Sequence, residues 1–245
     1  MRPAAPAPSV KSTEAGAGWM EAVMSIRGTL FAATYDRFTA KSEEQGMRDM
    51  RRRLIARAEG RVVEIGGGTG HNLAHYPAEV STLTVTEPEP AMVRRLRDHA
   101  AERAPFATVL RAPAEDLPFD DDTFDVAVST LVLCGVDDQE RALRQLLRVL
   151  RPGGRLLFLE HVRDRDPKRA RRQDRINWFN RLVVGCDCNR PTLDTIARAG
   201  FAVDDVEHGE LPAAPAFVRP LVIGSATAPS GSTGPTATDD RRTVV

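Results

Sequence analysis

The stretch "VVEIGGGTGHNLAHYP" at residues 62–77 places four glycines, Gly66, Gly67, Gly68 and Gly70, within five positions behind a short apolar run. Glycine weakens helix and strand alike, so such a cluster belongs where backbone bends sharply or something approaches it closely. A dinucleotide, a phosphate and a nucleoside are the candidate ligands, and each implies a different chemistry.

The rest of the chain sets the frame for that turn. β-Branched or large apolar runs stand at 61–66, 82–87, 107–112, 124–130 and 155–162 and read as strands. Helical periods separate them. Met92, Val93, Leu96 and Ala100 form one stripe. Leu143, Leu146, Leu147 and Leu150 form another, behind an Asp137-x-x-Glu140 capping box and ahead of a Pro152-Gly153-Gly154 stop. Upstream, Ser42-x-x-Gln45 opens a period with Met47, Met50, Leu54 and Ala58 on one side. Downstream, 191–201 reads as a short helix stopped by Gly200, followed by late strands at 201–208 and 216–226. This alternation predicts an α/β fold: a doubly wound, Rossmann-like sheet of five parallel strands plus a closing late strand pair, with an N-terminal helical cap.

Composition bounds the partners. The 245 residues suffice for one sizeable core. Residues 1–18 and 225–245 are small, polar or Pro/Ala-rich and are expected to be disordered, leaving 19–60 as the cap and 61–224 as the ligand-binding domain. Lys plus Arg and Asp plus Glu are equal at 34 each, which gives no overall pull toward nucleic acid. No apolar run reaches the ~18 residues of a membrane span. Three cysteines make no disulfide framework and fit a reducing, cytoplasmic setting.

The neighbours of the glycine turn choose among its ligands. A phosphate loop needs Gly-Lys-Ser/Thr, but His71 follows Gly70. A dinucleotide fingerprint needs a last glycine or alanine where Asn72 and Leu73 stand. The pattern E-x-G-x-G-x-G at 64–70, together with Glu87, "PAEDLPFDDDTFD" (113–125) and "LRVLRPGGRLLF" (147–158), resembles the class I S-adenosylmethionine (SAM)-dependent methyltransferases. The resemblance covers about residues 61–160 and implies SAM as cofactor. It assigns cofactor binding to Glu64, Gly66, Gly67, Gly68 and Gly70, with Glu87 on the ribose. Ala114 and Glu115 would face the adenine, Pro113 standing where many relatives have Asp, and Thr130 and Leu131 complete the set.

Chemistry narrows the methyl acceptor. Methyl transfer from a sulfonium is an in-line displacement, so the protein's main task is alignment. A thiol of pKa near ~8.5 is partly ionised at neutral pH, whereas a phenol near ~10 wants a base or a metal. Residues 129–136, "STLVLCGV", lack the Asn/Asp-Pro-Pro-aromatic run that grips an amine, which argues against DNA amino-methylation. The segments "NLAHYP", "STLVLCGVDDQERALRQLLRVLRPGG", "FLEHVR", "CNRPT" and "FVRPLVIGSA" resemble the animal methyltransferase-like proteins that methylate alkyl thiols. That resemblance implies S-methylation of a small-molecule thiol. A broader similarity keeps open C- or O-methylation of a quinol or phenol, with "YDRF" (35–38) as its carrier, and N-methylation of a phospholipid head group. A non-catalytic SAM-binding regulatory protein is the alternative from another class.

Glu160 and His161, at the expected end of the fifth strand, are the catalytic candidates. His161 is read as a proton acceptor or thiolate partner, or else as a histidine holding a loop. Cys134 is expected to pack in the cofactor wall. Cys186 and Cys188 would shape the acceptor pocket or respond to redox state, but as ligands they lack partners, and no metal is expected. His71 and His75 read as a solvated helix face rather than a metal pair. Residues 163–181 carry eight Arg/Lys against three Asp. They could hold an anionic substrate or lie on an acidic membrane with Ile176, Trp178 and Phe179 as the apolar side. A solvated helix packing those three inward is the favoured reading.

Overall fold

The computed structural model describes residues 36–37 and 39–231. The disorder expected of 1–18 lies outside the described residues. A single sheet contains β1 (Gly60–Ile65), β2 (Val80–Thr86), β3 (Ala107–Leu110), β4 (Phe124–Thr130), β5 (Leu150–His161), β6 (Ala202–Glu210) and β7 (Pro220–Thr227). Its spatial order is β3-β2-β1-β4-β5-β7-β6. The first five strands are parallel, and β7 runs antiparallel between β5 and β6. The helices are α1 (Arg48–Ile55), α2 (Pro90–Arg103), α3 (Gln139–Val149), α4 (Pro167–Val184) and α5 (Thr192–Arg198).

Successive strand residues point to opposite faces, and both faces are apolar here. Val63, Ile65, Ala127, Leu156 and Phe158 pack with Leu143, Leu146 and Val149 of α3. Val62, Val126, Val128, Leu157 and Leu159 pack with Leu54 and Ile55 of α1 and with Leu96 and Ala100 of α2. Helices therefore cover both sides, as the alternation predicts.

Local details differ from the sequence reading. The N-cap of α3 is Asp138, which accepts the Arg141 N–H at 2.9 Å, while Asp137 stays outside and donates its N–H to Glu115. Ser42 caps nothing. Its hydroxyl donates to the Pro212 carbonyl at 2.7 Å, and the chain passes through a π turn (Glu43–Met47) that Gly46, at φ 136°, kinks into α1. The Pro152-Gly153-Gly154 stop lies inside β5, which first pairs Leu150 with Phe124 and regains regular pairing at Arg155 opposite Val126. The helix behind the glycine turn shrinks to one 3₁₀ turn, Leu73–His75. His71 and His75 consequently form no solvated helix face: His71 is half-buried against Thr39 and Asp36. The expected tail boundary at 225 also moves outward, since β7 continues to Thr227 and the Ala228 N–H still donates to Gly154.

Candidate active site

The strand order reverses between β1 and β4, and ligands of open parallel sheets bind at the carboxyl ends of strands around such a point. The glycine turn follows β1, Glu87 follows β2, Leu131–Cys134 follow β4, and His161 ends β5. Every one of these candidate residues therefore lies at one edge of the sheet.

The glycines have separate reasons to be glycine. A Cβ on Gly66 would stand 2.5 Å from Val132, on Gly67 2.3 Å from Val85, and on Gly70 2.5 Å from Leu73. Those three let the turn pack against the sheet and its helix. Gly68 differs: it has φ +57°, and a Cβ there would meet nothing within 4 Å. Its Cα faces open space. Beside it, the buried Glu87 carboxylate accepts the Gly68 N–H at 2.9 Å and the Glu89 N–H at 3.0 Å. Burial raises the Glu87 pKa, opposed by those two N–H donors. Open space over a glycine beside two acceptor oxygens is the setting a ribose diol needs.

Glu64, expected at the cofactor, anchors the exit of the glycine turn. Its Oε1 accepts from the Asn72 amide at 2.8 Å and its Oε2 from the Tyr76 hydroxyl at 2.6 Å. Burial raises its pKa against those two donors. Thr130 joins the same network, accepting from Asn72 and from Arg51 at 2.9 Å each. Arg51 is itself buried, donating also to Asn72 at 3.1 Å and to Glu43 at 3.0 Å. The network ties α1 and the end of β4 to the exit of the glycine turn. Sequence reasoning missed Arg51, Asn72 and Tyr76. A signal was present: Arg51 sits four residues after Met47 and three before Leu54, on the apolar side of its helix.

On the β4 side, Leu131 adopts φ 59°, a left-handed backbone costing a leucine roughly 1–2 kcal/mol. Tertiary bonds hold it there. Its N–H donates to the Leu159 carbonyl at 2.8 Å. Glu160 gathers the loop beyond it, accepting from Ser129 Oγ at 2.6 Å and from the N–H groups of Val132, Leu133 and Cys134 at 3.1, 3.1 and 3.3 Å. Both carboxylate oxygens are thus committed to shaping the loop. Glu160, a catalytic candidate from sequence, holds the loop after β4 in place. Glu115 Oε1 accepts the Asp137 N–H at 2.9 Å, and Ala114 packs in the core.

His161 is buried, and its Nδ1 lies 3.6 Å from Cys134 Sγ and 3.3 Å from Cys186 Sγ. Its Nε2 is a buried atom with no hydrogen-bond partner among the described residues. The Cys186 thiol is held well below the usual thiol range by the hydrogen bond from Cys134, then by His161, with burial opposing; Cys134 is pushed up in turn. Cys186 therefore does not lack partners, contrary to expectation. Cys134 is buried as expected, but its sulfur faces this cluster. Cys188 stands apart, its thiol directed to Asn177.

Helix α4 reverses the favoured reading of 163–181. Ala170, Gln173 and Asn180 are buried on its inner side, while Trp178 and Phe179 are 68 and 49 % exposed. Among the described residues no helix is long and apolar enough to cross a membrane.

A doubly wound sheet with a glycine turn and a ribose-suited acid at its switch point defines a nucleoside-binding α/β enzyme. Comparison with known proteins names the kind. The family described as "Methyltransferase domain" matches residues 63–158. Human thiol S-methyltransferase TMT1A is 34 % identical over 177 residues, covering 67 % of this chain and 69 % of that protein. The quinone C-methyltransferase UbiE of Idiomarina loihiensis is 41 % identical over 105 residues, 41 % of this chain and 42 % of that one. Among solved structures, a SAM-dependent methyltransferase of Thermotoga maritima, described as a possible histamine N-methyltransferase, superposes with a TM-score of 0.60 at 24 % identity, covering 82 % of this chain and 97 % of that one. The chain belongs to the SAM-dependent methyltransferases. Its cofactor is S-adenosylmethionine, and it is similar both to thiol S-methyltransferases and, over a shorter span, to quinone C-methyltransferases.

Proposed function

We propose that this enzyme methylates the sulfur of a small thiol. The observation that carries the reading is the extent of the two similarities. The match to the quinone enzyme spans 105 residues, little more than the domain at 63–158 that any SAM user of this fold needs. The match to the thiol enzyme spans 177 residues, and that to rat thiol S-methyltransferase TMT1B spans 209 at 30 % identity, so both run well beyond the length of that domain. The segments after β5 bring Cys186 to within 3.3 Å of His161 at the end of that strand.

In this reading Gly68 and Glu87 hold the ribose, and the loop ordered by Glu160 closes the wall beside it. The cofactor supplies an electrophilic sulfonium methyl. The remaining requirement is a sulfur nucleophile held in line with it. With the Glu160 oxygens committed, His161 is the acceptor's partner. A thiol needs no strong base, because a useful fraction ionises unaided near neutral pH. Free thiols at all three cysteines accord with a reducing, cytoplasmic setting. The purified chain supplied with labelled SAM and a panel of alkyl thiols, quinols and phosphatidylethanolamine should give an S-methyl product. Efficient turnover of a quinol or the phospholipid amine, with no S-methylation, would overturn the reading.

The outer side of α4 favours a further element, contact with an anionic membrane surface. Lys168, Arg171, Arg172, Arg175, Phe179 and Leu182 recur at the spacing of one helical stripe, and Trp178 flanks it. The first four have no ion-pair partner among the described residues. Cations with exposed aromatic and aliphatic groups on one face suit the headgroup layer of an acidic bilayer.

A further inference from the structure

We propose that Cys134, His161 and Cys186 form an open-sided site for a thiophilic divalent ion of the zinc class, whose fourth position takes the acceptor sulfur. The site stands on its own residues; its use by the acceptor rests on the thiol reading above.

The three side chains come from the loop after β4, the end of β5 and the loop after α4, and all are buried. One ligand atom of each lies within 4.8 Å of the other two. The Nδ1–Sγ separations of 3.6 and 3.3 Å match the edge of a zinc tetrahedron, ~3.5 Å for bonds of ~2.3 Å to sulfur and ~2.0 Å to nitrogen. Two sulfurs and an imidazole are also the donor set that zinc prefers. Without an ion, His161 Nδ1 faces only two weak sulfur partners, and an ion at the centre of the three would replace both.

Among the described residues nothing nearby supplies a fourth ligand. The group contains no other His, Cys, Asp or Glu among the described residues. The adjacent Asp187 carboxylate is committed to Asn177, Arg181 and Arg190 at 2.7–2.8 Å, and Cys188 turns to Asn177. Three protein ligands with one position open is the pattern of a catalytic site rather than a structural one. An acceptor thiol binding there would lose its proton to solvent and become a thiolate at neutral pH. A sulfur lone pair then forms the new C–S bond as the sulfonium C–S bond breaks, its electron pair remaining on the departing sulfur. No oxidant or reductant is required. The neutral thioether product is a weaker ligand and dissociates.

The test uses the full chain purified under a phosphine reductant, so that no added thiol competes. Elemental analysis after Zn²⁺ loading and desalting should give about one zinc per chain. Cys134→Ser and Cys186→Ser should each keep less than about a tenth of it, while Cys188→Ser keeps it all. Because a serine variant could misfold, Co²⁺ is loaded into the unsubstituted protein in parallel. The expected spectrum has tetrahedral ligand-field bands and a thiolate charge-transfer band, and 2-mercaptoethanol should shift both. Absence of stoichiometric zinc and of that spectrum, or a Cys134–Cys186 disulfide in the metal-exposed protein, overturns the site. If chelator-treated protein still S-methylates thiols at the full rate, the metal role falls and the thiol reading stands. A cobalt spectrum indifferent to the thiol removes the acceptor's place in the site. A shifted spectrum with no S-methyl product upholds the site and overturns the thiol reading.

Discussion

The Gly68 N–H donates to Glu87 Oε2 at 2.9 Å, so the one glycine of the turn whose Cα faces open space is bonded to the acid beside that space. A carboxylate has about four lone-pair sites, which leaves Glu87 able to accept ribose hydroxyls as well. Gly68→Val should abolish SAM binding, because a β-branched residue is strained at φ +57° and its side chain fills the open space. Glu87→Ala should weaken binding by about 1–3 kcal/mol, the scale of charge-assisted hydrogen bonds. Titration calorimetry, with circular dichroism to confirm folding, checks both. Unchanged affinity in the two variants would remove Gly68 and Glu87 from the cofactor site.

The raised pKa of Glu87 sets a direction for pH. Ribose hydroxyls bind the ionised carboxylate, so cofactor binding must release a proton wherever free Glu87 is protonated. SAM affinity should be full above the folded pKa and decline as pH falls through it, in a window that opens above the ordinary 4.5. The sign for folding is opposite. A carboxyl with a raised folded pKa favours the fold below its unfolded pKa and loses that contribution as pH rises through the folded value. Glu87→Gln should remove the acid-side decline in affinity. A parent profile with no acid-side decline while the protein stays folded would count against Glu87 as a direct ligand.

Arg51 is the cation at the centre of the buried network, so its removal should be costly. Arg51→Met keeps the volume but leaves Glu43 a buried carboxylate without its partner and strips a donor from Asn72 and Thr130. Losing one member of a buried pair costs about 3–5 kcal/mol. Glu43→Gln in the same chain should recover part of that loss, since no uncompensated charge remains. Urea unfolding of the single and double variants measures the coupling. A loss under about 1 kcal/mol in Arg51→Met would show that the network does not hold the turn.

Much of the frame is legible in the sequence because it rests on local signals. Short apolar, β-branched runs mark the strands, and the stripe Met92, Val93, Leu96 and Ala100 is buried as its spacing predicts. The glycine turn is legible as well, although only the structure separates Gly68, open to a ligand, from Gly66, Gly67 and Gly70, closed by packing. The hidden part is set by tertiary partners. Glu160 looks like a free acid at a strand end until the loop N–H groups 26–28 residues earlier fold onto it. His161 meets cysteines 27 and 25 residues away on opposite sides of it in the chain, which no spacing motif encodes. In α4, a dense run of cations reads as a solvated face and implies that the aromatics among them point inward. The buried side instead carries Gln173 and Asn180, whose amides bond to backbone carbonyls of Val162, Cys188 and Cys186.

That polar inner side is what leaves the apolar groups of α4 outside, and it yields the last prediction. Trp178 and Phe179 pack edge to face with ring centroids 5.9 Å apart, and Leu182 is 67 % exposed beside them. Together with Lys168, Arg171, Arg172 and Arg175 they make one outward stripe, so insertion of the rings and attraction of the cations act on the same surface. Each cation near an acidic bilayer contributes about 1 kcal/mol, and burial of a large side chain about 1.5–3 kcal/mol. The protein should therefore sediment with phosphatidylglycerol-containing vesicles and not with pure phosphatidylcholine, and added salt should weaken the association by screening. Trp178→Ala should reduce binding about tenfold or more at every salt concentration. Arg171→Glu with Arg175→Glu should reduce it at least as much at low salt and remove most of the salt dependence. SAM affinity in solution should be unchanged in both, because these side chains are exposed on the outer side of α4. If the anionic vesicles leave the protein in the supernatant at low salt, or if both variants bind like the parent, α4 is not a lipid-facing helix.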